Sequence, residues 1–216
     1  MKTLSILNVL LILIIFISSR FIPNIAALLD MPEYFFACFY FTLISLLLSL
    51  LMAPIIIRHL TRYRKTHCSQ RFYIILGTLL NIVTLALAVQ FKVNLPFIVT
   101  NDIASIGLWH ILLFGLSFNI ILIHIETMIY KALTDRLSIA HVEGPTIVIS
   151  ALLFALTNVL AFMPFTLQLF PAYFISFFAI GLIMAYLYNQ TNTLVVSQIS
   201  LTIAVLLCNI YLVLFH

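Results

Sequence analysis

The chain has 216 residues, 64% of them hydrophobic and 7% charged, with a net charge of +4 and a mean hydropathy of +1.25. A soluble domain carries about 25% charged residues, so this composition excludes a water-covered globule; it also excludes a disordered chain, which is poor in apolar residues. The three cysteines, Cys38, Cys68 and Cys208, are scattered and form no Cys-x-x-Cys pair, so they indicate neither a disulfide framework nor a thiolate metal site.

Crossing the hydrocarbon core takes about 20 mostly apolar residues. Seven segments qualify: 3–19, 34–57, 72–91, 105–130, 146–163, 169–188 and 194–215. No segment alternates with the strand period of a barrel, and an open sheet edge is not viable in lipid. The expected fold is therefore all-α, a polytopic transmembrane helical bundle with about seven spans.

In chain order, Lys2 and the apolar run 4–17 resemble a signal peptide. The run ends in Ser18-Ser19-Arg20 without a small-x-small cleavage site, which favours an uncleaved first span. Pro23 and Pro32 bracket the first connector. Half of the basic residues, Arg58, Arg62, Arg64, Lys65 and Arg71, lie between the second and third spans. Between two apolar blocks they predict a cytoplasmic loop beside anionic lipid headgroups, not a nucleic-acid site. Pro96 lies in the next outer connector. The fourth span is long enough to extend past the bilayer as far as Leu133. Gly144-Pro145 opens the fifth and Pro164 closes it.

Charge tests the count. With the N-terminus in the cytoplasm, the inner segments hold eight basic residues: Lys2, the five just named, Lys131 and Arg136. The outer segments hold two, Arg20 and Lys92. This is the positive-inside distribution, and removing any one span would spoil it. The expected location is the plasma membrane, with the C-terminus outside.

Polar residues within spans are costly in lipid and so mark sites or packing contacts. Glu126 is the one acidic residue inside an expected span. Its competing reading is a Glu at the cytoplasmic end of a span, paired with Lys131; that pair is five residues apart, a poor helical offset. The fourth span carries two polar stripes. One holds Gly115, Asn119, Glu126 and Tyr130, the other His110, Ser117, His124 and Lys131. His124 and Glu126 lie about 200° apart around the axis, so they are not a metal pair on one helix. In the fifth span Ala151, Phe154, Ala155 and Asn158 share one side. Ala151-x-x-x-Ala155 admits a close neighbouring helix, as does Gly181-x-x-x-Ala185 in the sixth. Asn158 at depth needs a hydrogen-bond partner, which makes it interhelical glue or part of a site. Gln198, Thr202 and Asn209 read as packing residues.

These residues have the order of a known family. Glu126-Thr127-Met128-Ile129-Tyr130-Lys131 resembles a Glu-Glu-x-x-x-Arg motif in which the second Glu has become Thr127 and the Arg has become Lys131. Phe154-Ala155-Leu156-Thr157-Asn158 resembles Phe-x-x-x-His with the His replaced by Asn158. Gly181, Tyr186-Leu187-Tyr188 and Thr191-Asn192-Thr193-Leu194 give the best match of all. A third motif, His-x-x-x-Asn, would fall on Leu201 and Val205, where both polar residues are gone. Over its last half the chain is similar to the CPBP intramembrane proteases, the CAAX-processing and bacteriocin-processing proteins with the Abi-type domain. The resemblance divides the chain into N-terminal helices and a basic loop, 1–104, and an Abi-like core, 105–216.

The resemblance implies a site in which Glu126, Lys131 and Asn158 are the catalytic positions and Asn119, Thr127, Tyr130 and Phe154 line a substrate or packing groove. Active relatives use a glutamate to activate water and polar donors to hold the oxyanion. Losing one such donor costs on the order of 10² to 10³ in rate, so a chain with Leu201 and Val205 is expected to be weak or inactive. With one strong ligand at the aligned positions, a metal site is not expected, nor any cofactor. The functions in competition are a bacteriocin self-immunity or membrane-peptide-interacting protein, a residual intramembrane endopeptidase, and a proton-coupled transporter or permease subunit. Membrane lipid and a membrane-active or prenylated peptide are the expected partners. The absence of internal repeats weighs against the transporter. Depth is a further constraint: Glu126 falls near the cytoplasmic side and Asn158 near the outer end of its span, so the two meet only if the fifth helix sits deep or the spans tilt.

Overall fold

The computed structural model describes residues 10, 13–15, 17–31, 33–93, 95, 97–98, 130, 133, 143–162 and 167–215. Among these, every regular element is helical. In chain order they are α1 (Ile22–Leu28), α2 (Glu33–Leu51), α3 (Ala53–Gln90), α4 (Glu143–Phe162), a 3₁₀ turn (Leu167–Leu169), α5 (Phe170–Thr191) and α6 (Leu194–Phe215).

Among the described residues, four helices are long and apolar enough to cross a membrane: Gln70–Gln90 within α3, Gly144–Ala161, Phe170–Thr191 and Leu194–Leu214. They match the third, fifth, sixth and seventh expected spans. The second appears as Phe39–Leu51, followed after a bend of 78° by Ile56–Tyr63. The fourth expected span, 105–130, lies outside the described residues up to its last residue, and the first lies largely outside them.

The stretch from Arg58 to Arg71 is not the loop that its charges suggested. It is helical throughout and belongs to the 38-residue α3. The physical reason is that no Gly or Pro interrupts the chain between Pro54 and Gly77, while Arg, Lys, Leu and Gln are good helix formers. Pro54 stands in the first turn, where its missing N–H costs nothing.

Two helices end in Schellman turns. After α1, Asp30 takes a positive φ of 51°, with Asp30 N donating to Ala27 O and Met31 N to Ala26 O. After α3, Lys92 takes φ 55°, with Lys92 N donating to Val89 O and Val93 N to Ala88 O at 2.9 Å each. Both place a non-glycine residue in the left-handed region that favours glycine. The turn after α3 feeds Phe97 into the core, where its ring meets Phe177 edge-on at 6.5 Å.

α4 and α5 pack antiparallel, while α3 packs along α5 and α6. The small-residue motifs of α4 and α5 meet each other. A Cβ at Gly181 would stand 3.2 Å from Ala151 Cα and 2.9 Å from Phe154 Cδ1. Gly77 of α3 is equally tight, since a Cβ there would press on Leu187 Cδ1 and stand 3.0 Å from Ser200 Cβ. Such contacts let helices in lipid gain dispersion energy where no hydrophobic effect drives them together.

Two stability changes are expected. Gly181→Val forces α4 from α5 and lowers stability by about 1–3 kcal/mol, read as an earlier thermal midpoint in detergent. Lys92→Gly relieves the left-handed backbone and raises stability by about 0.5–1 kcal/mol after the entropy of glycine is subtracted; a lowered midpoint would show that the turn is not held as described.

Candidate functional site

The motif residues within the described part fall at two levels of the bundle. At one end is Tyr130, 2% exposed. Its hydroxyl donates to Asn189 Oδ1 at 3.0 Å, and its ring stands edge-on to Tyr188 at 4.8 Å. The same end holds the α5–α6 turn. Asn192 caps α5 with φ 50°, its N–H reaching Tyr188 O, a backbone conformation that Asn tolerates. Thr193, fully buried, starts α6: its Oγ1 accepts from Val195 N at 3.3 Å and donates to His59 O of α3 at 3.2 Å. Arg62 Nη1 donates to Asn192 O, and the His59 ring meets that of Tyr188. The Tyr188-to-Leu194 stretch singled out in the sequence is thus a hinge between three helices.

Phe154 and Asn158 lie toward the other end. Phe154 is fully buried, edge-on to Phe177 at 6.4 Å. Asn158, one turn on, is also fully buried. Nδ2 turns back to Phe154 O of its own helix at 2.8 Å, and among the described residues Oδ1 accepts no hydrogen bond. Nearby, the Arg20 guanidinium donates to Leu160 O through Nε at 2.7 Å and also through Nη2. This places a cation on the C-terminal carbonyls of α4, where the helix dipole favours it.

Depth follows from register. Ala151 and Phe154 oppose Gly181, whereas Tyr130 opposes Asn189. Eight residues of α5 and a further seven of α4 separate the levels of Tyr130 and Asn158, an axial distance on the order of 20 Å. The structure therefore does not bring these two site positions together. Leu201 and Val205 are fully buried in the apolar core, as their side chains require. Asn119, Glu126, Thr127 and Lys131 lie outside the described residues, as do His110 and His124.

No family model matches this chain. No curated protein and no solved structure matches it either.

Several buried polar groups were not singled out in the sequence. Asn81 of α3 is fully buried, its Nδ2 donates to Gly77 O at 2.9 Å, and among the described residues its Oδ1 accepts nothing. Between α5 and α6, Ser200 donates to Ser197 O and Ser197 to Met184 O. The signal was present: Gly77, Asn81 and Thr84 recur at helical spacing in an otherwise apolar run. Asn209 does act as glue, donating across the bundle to Phe97 O at 3.0 Å.

A buried amide with an unmet acceptor contributes little to stability. Asn158→Leu is expected to leave the thermal midpoint within about 1 kcal/mol of the native protein. Asn158→Asp, which buries an ionisable group in an apolar surrounding, should cost several kcal/mol or force protonation. A large loss in the Leu variant would mean that Oδ1 has a partner.

Proposed function

We propose that this chain is an integral membrane protein that engages a membrane-active peptide without cleaving it, in the manner of a bacteriocin self-immunity protein on an intramembrane-protease-like scaffold. The observation that carries the reading is the separation of Tyr130 from Asn158 along α5. Hydrolysis needs a base, a water and oxyanion donors within hydrogen-bond reach of one carbon. Tyr130, the described residue of the Glu126–Lys131 motif, stands on the order of 20 Å along the bundle from the amide of Asn158. The fully buried Leu201 and Val205 add no donor. A scaffold with these positions filled by packing still offers a wide apolar exterior on which a membrane-inserted peptide can lie.

The orientation proposed is a cytoplasmic N-terminus and an external C-terminus in the plasma membrane. Its support is the sorting of contacts by end. His59, Arg62, Tyr130 and the Asn192–Thr193 turn gather at one end. Arg20, Leu160, Phe97 and Asn209 gather toward the other. The basic arm of α3 thus stands on the side that the positive-inside rule assigns to the cytoplasm.

The test compares wild type with Glu126→Gln at equal expression, scoring survival against a panel of bacteriocins. The expected result is protection by both forms, because binding and not base catalysis is at work. Protection lost in the Gln variant, together with cleaved peptide in the wild type, would establish the endopeptidase instead. No protection by either form would remove the immunity reading.

A further inference from the structure

We infer that the N-terminal arm of α3, residues 53–69, lies along the bilayer surface and holds an anionic phospholipid headgroup on Arg58 and Arg62. Two anchors fix the arm at the membrane boundary. Before it, α2 exposes Phe39, Leu43, Leu46, Leu50 and Leu51, an apolar face suited to acyl chains, and the chain bends by 78° between Phe39–Leu51 and Ile56–Tyr63. Beside it is the turn that joins α5 to α6, the end of two spans, which His59 and Arg62 touch directly. His59 and Gly77 are 18 residues apart on α3, about 27 Å of helix. Yet they meet Thr193 and Ser200, only seven apart, about 10 Å along α6. Much of the arm therefore runs across the end of the hairpin, not into the bilayer.

The arm has three faces. Met52, Ile56, His59 and Tyr63 turn inward, with His59 5% exposed. Ile57 and Leu60 are apolar and exposed, at 62% and 43%. Arg58 and Arg62, one turn apart, are exposed on the opposite flank. A helix at an interface with one flank for acyl chains and one for headgroups has this pattern. Arginine suits a phosphate because its planar guanidinium donates in a fork, and its contact with Asn192 O holds Arg62 in place. The span length adds to this: Gln70–Gln90 alone covers about 30 Å, so the arm is not needed to cross the hydrocarbon core.

The experiment uses the full chain purified in detergent, with phosphatidylglycerol or phosphatidylcholine added at equal mole fraction, and reads retained lipid by native mass spectrometry and the thermal midpoint. Phosphatidylglycerol is expected to be retained and to raise the midpoint, the more so at low salt. Arg58→Gln with Arg62→Gln should weaken its apparent affinity by roughly fivefold per arginine. Lys92→Gln at the other end should change nothing, and Arg58→Lys with Arg62→Lys should keep the preference for phosphatidylglycerol at a weaker apparent affinity, because the charge stays and the fork is lost. Equal retention of the two lipids, or a double Gln variant that binds like wild type, overturns the inference, as does full competition by inorganic phosphate at constant ionic strength. If the double Gln variant does not fold, the wild-type lipid comparison and the Lys pair decide the matter.

Discussion

The closeness of α4 to α5 at Gly181, and of α3 to its neighbours at Gly77, is the constraint on which the rest depends. In lipid the apolar side chains gain nothing by leaving their surroundings, so helices associate through close packing and a few hydrogen bonds. Gly181 takes the Ala151 backbone against it, and Gly77 takes Ser200 and Leu187. Once those contacts are set, the register of α5 against α4 fixes the depth of Phe154 and Asn158. The register of α3 against α6 carries the basic arm onto the α5–α6 turn.

From this register comes the division between the two ends. One end is knit by Tyr130, Asn189, Thr193, His59 and Arg62. The other is closed by Arg20 on Leu160 O and by Asn209 on Phe97 O. Between them the interior is mostly apolar, with Leu201, Val205, Phe177 and Phe154 fully buried beside Asn81, Ser150 and Asn158. Polar groups inside mostly satisfy themselves on their own helices, as Asn81 does on Gly77 O and Asn158 on Phe154 O. An interior of this kind is a packed support that holds the two ends apart.

Much of this was legible in the sequence. Length and hydropathy placed the third, fifth, sixth and seventh spans within a few residues of their ends, because apolar runs bounded by polar turns leave little choice in lipid. The small-residue spacing of Ala151–Ala155 and Gly181–Ala185 announced a helix contact, and the two motifs meet. The basic stretch misled, because charge density suggests a loop whereas helix continuity depends on the lack of Gly and Pro. Asn158 was read as interhelical glue or part of a site, but a buried amide can also close on the carbonyl one turn back, and sequence alone does not choose. The burial of Asn81 and the Tyr130–Asn189 bond depend on which faces meet, and this is set by tertiary packing.

The most direct test of the α4–α5 register is a cross-link in native membranes. With Cys38, Cys68 and Cys208 replaced, Ala151→Cys and Gly181→Cys would place two Cβ atoms about 3.4 Å apart, close to the separation of about 3.8 Å found in disulfides. The account predicts rapid oxidation of this pair, and little when the second cysteine is moved a turn along α5 to Phe177 or Ala185. No bond at 151–181, or equal bonding at all three positions, would contradict the packing from which the separation of Tyr130 and Asn158 was derived.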